Sequence, residues 1–265
     1  MSDSPPVTVR LDVRDDGVAL VELQRPSARN AINMAMAGEL VEAIAACQTA
    51  RCIVVTGADP AFCAGLDLRD VGTDRLADLP KFIDAVTGSA VPTIAAVNGP
   101  AVTGGLEIAL ACDFIVASER ARFADTHVRV GVYPGPVLVD LPRLVGMAMA
   151  REMSMTGNFV DASTALRIGL ANHVVPHQAL LPFAFELAAA IAEQDPVMIA
   201  GMRRDWDETG ALPIDIAHRR HREIAHELGF TGTARERLQA NMDSVVAHGR
   251  RQQSTGASEP DVDEP

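Results

Sequence analysis

An α/β fold ending in a helical region is what this 265-residue sequence predicts. Three observations carry the prediction. Short apolar runs alternate with glycine-containing loops and helical segments through the first half. From about Pro142 onward the signals are mainly helical. Hydrophobic residues make up 48% and aromatic residues only 4%, so the core is aliphatic and packed by shape. The length supports a sizeable core in one or two domains.

Taken in order, residues 1–6 are polar and proline-containing and read as a loose arm. Val7–Val13 and Val18–Leu23 predict two strands joined by Asp15-Asp16-Gly17, a hairpin-turn signal. Asn33 is placed to cap a helix running to about Thr49, with Met34, Leu40, Val41 and Ile44 on its apolar side. Cys52–Gly57 and Thr93–Gly99 predict short buried strands. Between them lie a glycine-containing loop, Ala61–Asp70, and a helical stretch near Leu76–Val86. After Gly99 a loop opens into a helix around Gly104 and Gly105, and Phe114–Ala117 predicts another strand. Helical signals then cover 143–156, 161–168, 178–194, 196–209 and 213–247. The domain reading is a core over 1–200, a helical region over 201–250 and a tail over 251–265. That tail is rich in Ser, Glu, Asp and Pro and is expected to be disordered.

The formal net charge is -12, from 35 acidic and 23 basic residues. Such a field repels nucleic acid and anionic membrane, so neither is an expected partner, and an anionic ligand needs a local basic pocket. Gly99–Ser118 is apolar enough to resemble a membrane span, but a span would bury Glu107, Asp113, Pro100 and a Gly-Gly pair. A buried core helix flanked by strands is the better reading. Cys47, Cys52, Cys63 and Cys112 make no C-x-x-C spacing and sit beside aliphatic residues, which predicts buried, reduced thiols. Residues 1–10 lack a signal-peptide pattern, so a cytoplasmic location is expected. No cluster has metal-ligand spacing, so no metal is expected. His173, His177, His218 and His221 read as surface residues. Gly99, Gly104 and Gly105 do not make the G-x-G-x-x-G spacing, which argues against a dinucleotide site.

Three segments carry candidate chemistry: Ala61–Arg69, Val97–Asp113 and Ala121–Gly135. Gly104 and Gly105 open a helix, so their N–H groups are unpaired and sit at its positive end. Gly65 lets the backbone at Leu66 approach a ligand closely. Two N–H groups converging from separate loops would stabilise an oxygen gaining negative charge. Close helix–strand packing explains either glycine site taken singly. Glu107 stands in the first turn of a strongly apolar helix, where it suits the helix dipole. Equally, a buried carboxylate beside free N–H groups is a general acid/base candidate. The residues alone leave both readings open.

These segments, in this order, resemble the crotonase (enoyl-CoA hydratase/isomerase) superfamily over roughly residues 7–210. The resemblance rests on Arg25–Asn33, Phe62-Cys-Ala-Gly-Leu-Asp-Leu, and Asn98-Gly through Gly-Gly-Leu-Glu to Ala-Cys-Asp. Later markers are Thr156-Gly, Ala162–Ala165 and Gly169-Leu-Ala-Asn-His-Val-Val. It implies a crotonase-type spiral of ββα turns, with a helical C-terminal region that builds a homotrimer or a dimer of trimers. It implies an acyl-CoA thioester as substrate and no separate cofactor, coenzyme A being part of that substrate. Position by position, the N–H groups of Leu66 and Gly104 would form the oxyanion hole and Glu107 would be the first catalytic glutamate. Ala64, Leu66, Asp67, Leu68 and Arg69 would line the thioester and pantetheine channel, and Ala28 would lie near the adenosine. Arg25, Arg29 and Arg69 are candidates for offsetting the acidic field near the phosphates.

The sequence also departs from the family pattern. Hydratases of this family usually carry a second glutamate, and His127 stands where it should fall. Asp125 lies two residues earlier, and Thr126 replaces a frequent proline. Pro134–Arg143 lacks the usual Gly-Gly pair, so this wall of the site is rebuilt. An imidazole titrates near pH 6.5, roughly where proton transfer needs it, so His127 can serve as the second acid/base. A pocket or structural histidine is the competing reading; Asp125 can substitute for the glutamate by reaching back, or else hold the ring or a turn. Hydration of a 2-enoyl-CoA is the leading expectation. The alternatives are isomerisation, decarboxylation or thioester hydrolysis on the same scaffold, or a CoA-thioester binder with little catalysis.

Overall fold

The computed structural model describes residues 7–67, 69 and 78–255. Within them the strands are β1 (Val9–Val13), β2 (Val18–Leu23), β3 (Cys52–Gly57), β4 (Thr93–Val97), β5 (Pro100–Val102), β6 (Phe114–Ser118), β7 (Arg122–Ala124), β8 (Val160–Asp161) and β9 (His173–Val175). The main sheet runs β1-β2-β3-β4-β6-β9 and a second sheet runs β5-β7-β8. Only the β1–β2 hairpin is antiparallel in the main sheet, Val9 facing Leu23, and Gly17 makes its turn at φ 82°. That positive φ is costly for any residue with a Cβ.

The parallel strands are buried on both faces, which is why they read as continuous apolar runs. Ala19, Val21, Ile53, Val55, Ala95 and Val97 point into one aliphatic cluster, beside Met36 and Leu40 of α1 (Met34–Ala46). Their alternates Val18, Leu20, Cys52, Val54, Ile94 and Ala96 point into the other. Asn33 caps α1, its side chain accepting the Met36 N–H at 3.0 Å.

The helices that follow are α2 (Phe82–Thr87), α3 (Gly104–Ala111), α4 (His127–Val130), α5 (Val137–Val145), α6 (Met147–Thr156), α7 (Ala162–Arg167) and α8 (Leu180–Ala192). Leu180, Ala184 and Ala188 of α8 close the second cluster. Two turns of the spiral are explicit: β4, β5 and α3 make one, and β6, β7 and α4 make the next. The fold is the α/β spiral of ββα turns that the resemblance implied.

The chain divides into two compact units, Met1–Ala200 and Gly201–Pro265. In the second lie most of α9 (Pro196–Thr209), then α10 (Ile214–Glu227) and α11 (Ala234–Thr255). Arg204 and Arg220 tie this unit through ion pairs of 2.6–3.0 Å with Glu208, Glu223 and Glu227.

Several local expectations are corrected. The strands β5, β7, β8 and β9 fall where no strand was read. The helical signal over 213–247 breaks after Glu227, because Gly229 and Gly232 take φ of 72° and 83°. The helix expected from residue 143 begins at Val137, carries Pro142 inside it, and ends at Gly146, whose φ is 78°. Residues 251–255, read as tail, belong to α11; the remainder of that tail lies outside the described residues. Of the helical stretch expected near Leu76–Val86 only α2, Phe82–Thr87, is an α-helix; residues 79–81 before it are not helical, and Leu76 and Ala77 lie outside the described residues.

Candidate active site

The second sheet assembles the site. β5 and β7 are parallel, with Val102 opposite Ala124, so the residues that follow them leave adjacent strand ends. Thr103 and Gly104 emerge from one end, and Asp125, Thr126 and His127 from the other. A single-residue bridge pairs Cys63 with Ala101, and another pairs Ile32 with Leu66. Leu66, Gly104 and His127 therefore gather at one edge.

The bridge at Leu66 fixes where its N–H points. Ile32 donates to the Gly65 carbonyl and accepts from the Asp67 N–H, both at 2.8 Å. In a parallel bridge the intervening residue turns its own N–H and C=O the opposite way. Leu66 N–H has no partner among the described residues. Gly104 is the first residue of α3, so its N–H has no carbonyl to meet within the helix. The two nitrogens are near neighbours: a Cβ built on Gly104 would lie 3.9 Å from Leu66 N, and one built on Gly65 would lie 3.6 Å from Gly104 N. Gly65 itself sits at φ 92°. Gly105 packs against Cys63, where a Cβ would approach the carbonyl oxygen to 2.1 Å.

Glu107, in the first turn of α3, is 6% exposed. Its Oε1 accepts the Val137 N–H at 3.3 Å, at the N-terminus of α5. Gly135 lies against the same oxygen, 2.8 Å from where a Cβ on Gly135 would stand. Burial is the largest influence on this carboxyl and raises its pKa above the ordinary value. The Val137 N–H and the His127 charge pull it down, Asp125 pushes it up, and burial prevails. A carboxylic acid held in that condition both takes and returns a proton readily.

His127 is 7% exposed and Asp125 is fully buried. His127 Nδ1 lies 2.6 Å from Asp125 Oδ1, and the His127 backbone N–H donates to the same oxygen at 3.3 Å. Burial opposes the Asp125 charge, but the contacts with His127 and Ser154 outweigh it and hold its pKa below the usual range. Asp125 Oδ2 is buried and, among the described residues, has no partner at hydrogen-bond geometry, Ser154 acting on the carboxyl from further off.

The remaining site candidates take three positions. Ala28 ends the 3-10 turn Pro26–Ala28, and the next residue's carbonyl, on Arg29, accepts the Ala64 N–H at 3.0 Å. Asp67 is gripped by Arg25 at 3.0 Å and by Arg69 at 2.8 Å, which lowers its pKa well below the usual carboxylate range despite burial. Two of the three candidate phosphate arginines are thus already paired with one carboxylate. Leu68 lies outside the described residues.

Sequence reasoning missed four features. Asn30, fully buried at φ 55°, accepts the Arg25 N–H and donates to the Ala58 and Ala61 carbonyls, pinning the loop before Leu66. Thr103 and Thr126 share a 2.6 Å hydroxyl contact. Gly135 gives room to the Glu107 carboxylate. His177, read as a surface residue, is a bridge: Nδ1 lies 3.1 Å from Ser118 Oγ and Nε2 lies 3.0 Å from Asp59 Oδ2. The αL backbone at Asn30, in a turn after Pro26, was the one feature with a local sequence signal.

Comparison with known proteins decides the family. Residues 13–230 match the family model described as enoyl-CoA hydratase/isomerase. The chain belongs to that family. The enoyl-CoA hydratase/isomerase relatives include 2,3-dehydroadipyl-CoA hydratase of Escherichia coli, 32% identical over 86% of this chain and 92% of its own length. Mitochondrial enoyl-CoA hydratase of Pongo abelii is 30% identical over 89% of this chain and 84% of its own. A crystal structure of enoyl-CoA hydratase from Mycobacterium smegmatis superposes with a TM-score of 0.82 at 28% identity, covering 90% of this chain and 97% of that one. This member of the family is therefore an enzyme with the family's fold. No helix of its described residues is long and apolar enough to cross a membrane.

Proposed function

We propose that the protein adds water across the C2–C3 double bond of a 2-enoyl-CoA thioester. The N–H groups of Leu66 and Gly104 hold the thioester oxygen. Glu107 takes a proton from water as the water oxygen bonds to C3. The double-bond electrons move toward C2 and onto the thioester oxygen, where the two N–H groups stabilise the enolate. Glu107 then returns the same proton to C2, and the enolate collapses to the 3-hydroxyacyl-CoA. His127 accepts a hydrogen bond from the water's other O–H, whose hydrogen stays on the C3 hydroxyl, and so aims the water in place of the second glutamate usual in the family.

The observation that carries this reading is the buried Glu107 carboxylate, its pKa raised, on the helix whose first N–H adjoins the free N–H of Leu66. Ala28, Ala64, Asp67, Leu68 and Arg69 are proposed to line the substrate channel, with Arg25, Arg29 and Arg69 lending positive potential toward the phosphates, Arg25 and Arg69 sharing theirs with Asp67. The reaction needs no cofactor beyond the coenzyme A of the substrate. Assembly as a homotrimer or dimer of trimers is supported by exposed apolar side chains in the second unit, among them Trp206 at 64% and Ile214 at 73%.

Histidine in place of the second glutamate favours one competing reading, in which a single carboxylate catalyses isomerisation, decarboxylation or thioester hydrolysis. A panel of enoyl- and malonyl-type CoA thioesters, with products identified by mass, separates the two.

A further inference from the structure

The orientation of His127 depends on a group that the reaction itself does not touch. Asp125 Oδ1 meets both the ring nitrogen Nδ1 and the backbone N–H of His127. An ionised carboxylate can only accept, so Nδ1 carries the hydrogen. In the neutral ring Nε2 is then the lone-pair nitrogen, and it has no partner among the described residues. The backbone carrying both residues is held from the far side as well. Thr126 donates its N–H to Thr103 Oγ1 at 3.3 Å, their hydroxyls meet at 2.6 Å, and Thr103 N–H donates to the Ala124 carbonyl at 2.8 Å. Thr103, at φ 53°, directly precedes Gly104. The turn that carries His127 is thereby fastened to the start of α3.

We propose that Asp125 is a positioning residue that locks His127 in the Nδ1–H tautomer, leaving the Nε2 lone pair to orient water. Asp125 is fully buried and has no surface to offer a substrate, so it acts on the reaction only through His127, whose ring and backbone N–H it both meets. The proposal rests on the reading that His127 takes part in water addition.

The test is nitrogen NMR of the substrate-free protein with labelled histidine, at alkaline pH where imidazoles are neutral. The His127 signals are assigned by their absence from His127→Gln. The wild type should show a protonated Nδ1 and an unprotonated Nε2. Asp125→Ala should populate the Nε2–H tautomer and lower kcat about a hundredfold, the lower end for a mispositioned acid/base group, with KM little changed. A wild-type ring protonated at Nε2 overturns the proposal, as does a folded Asp125→Ala that keeps the original tautomer or full turnover. If that variant fails to fold, the wild-type spectrum still decides. The tautomer is read without substrate, so absence of hydration overturns the functional reading while this assignment still stands or falls on the nitrogen shifts.

Discussion

Val137 donates its backbone N–H to Glu107 Oε1 at 3.3 Å, placing the carboxylate of one helix at the positive end of another. Two effects compete there. The N-terminal dipole of α5 favours the anion, and removal from water disfavours it. The carboxyl pKa rises above its ordinary value of 4.5, so burial wins. The helix terminus keeps ionisation within reach, and the buried setting makes the proton easy to return.

Glu107→Gln should lower turnover by about two to four powers of ten, the usual worth of a positioned acid/base group. Affinity for a saturated acyl-CoA should change little, because the carboxylate does not anchor the nucleotide. Steady-state kinetics and calorimetric titration check the two halves separately. A variant with wild-type turnover moves the chemistry away from Glu107.

The same substitution should raise Tm at neutral pH. A carboxyl whose folded pKa is raised binds its proton more tightly in the native state. Its contribution to stability is present below its unfolded value, near 4.5, and is lost as pH rises through the folded value. Glutamine has no such charge to bury. Thermal scans across pH should show the gap between variant and wild type widening above pH 4.5 and closing below it. A lower Tm for the variant at neutral pH contradicts the burial argument.

Much of the main sheet was legible because its strands are runs of aliphatic residues with little else in them, as in Cys52–Gly57 and Thr93–Val97. The second sheet was not. Pro100-Ala-Val and Arg122-Phe-Ala are too short to show a period, and their pairing joins residues about twenty apart in sequence. Glu107 could be singled out from its apolar neighbours, yet its partner Val137 lies thirty residues on and left no local trace. Helix ends at Gly146 and Gly229 depend on a positive φ that a lone glycine permits without requiring. His127 was visible only as a departure from a family pattern; that Asp125 holds its ring was one of the readings open in the sequence, and a two-residue separation alone does not say whether the carboxylate meets the ring, the turn or the substrate.

Gly135→Ala should damage activity while leaving the fold intact. Its Cβ would stand 2.8 Å from Glu107 Oε1, so the carboxylate must move or turn. No backbone strain accompanies the change, because Gly135 is not in the positive-φ region. Circular dichroism should be unchanged and kcat should fall at least about tenfold, since a displaced acid/base group loses part of its hundredfold or greater effect. Unaltered kcat would show that the carboxylate position is not critical.

Gly104→Ala and Gly105→Ala should fail in different ways. At Gly105 a Cβ would come within 2.1 Å of the Cys63 carbonyl oxygen, a backbone atom and not the end of a flexible side chain. Urea unfolding should register a loss of about 1–3 kcal/mol or more, the range for overpacked sites. At Gly104 the nearest contact would be Ile32 Cδ1 at 3.4 Å, so the fold should tolerate the methyl. That methyl would stand 3.9 Å from Leu66 N, beside the two N–H groups proposed to hold the thioester oxygen, so activity should suffer instead. Equal stability losses at both positions would contradict the packing argument.

The central claim is that Glu107 and the two N–H groups direct solvent water onto an enoyl-CoA. The most direct measurement is the mass of the product formed from a short 2-enoyl-CoA in water enriched in oxygen-18 and deuterium. The predicted product gains one labelled oxygen at C3 and one deuterium bound to C2. Glu107→Gln should form it at least about a hundredfold more slowly. A product of unchanged composition with a shifted double bond, or free coenzyme A with a labelled carboxylic acid, would contradict hydration.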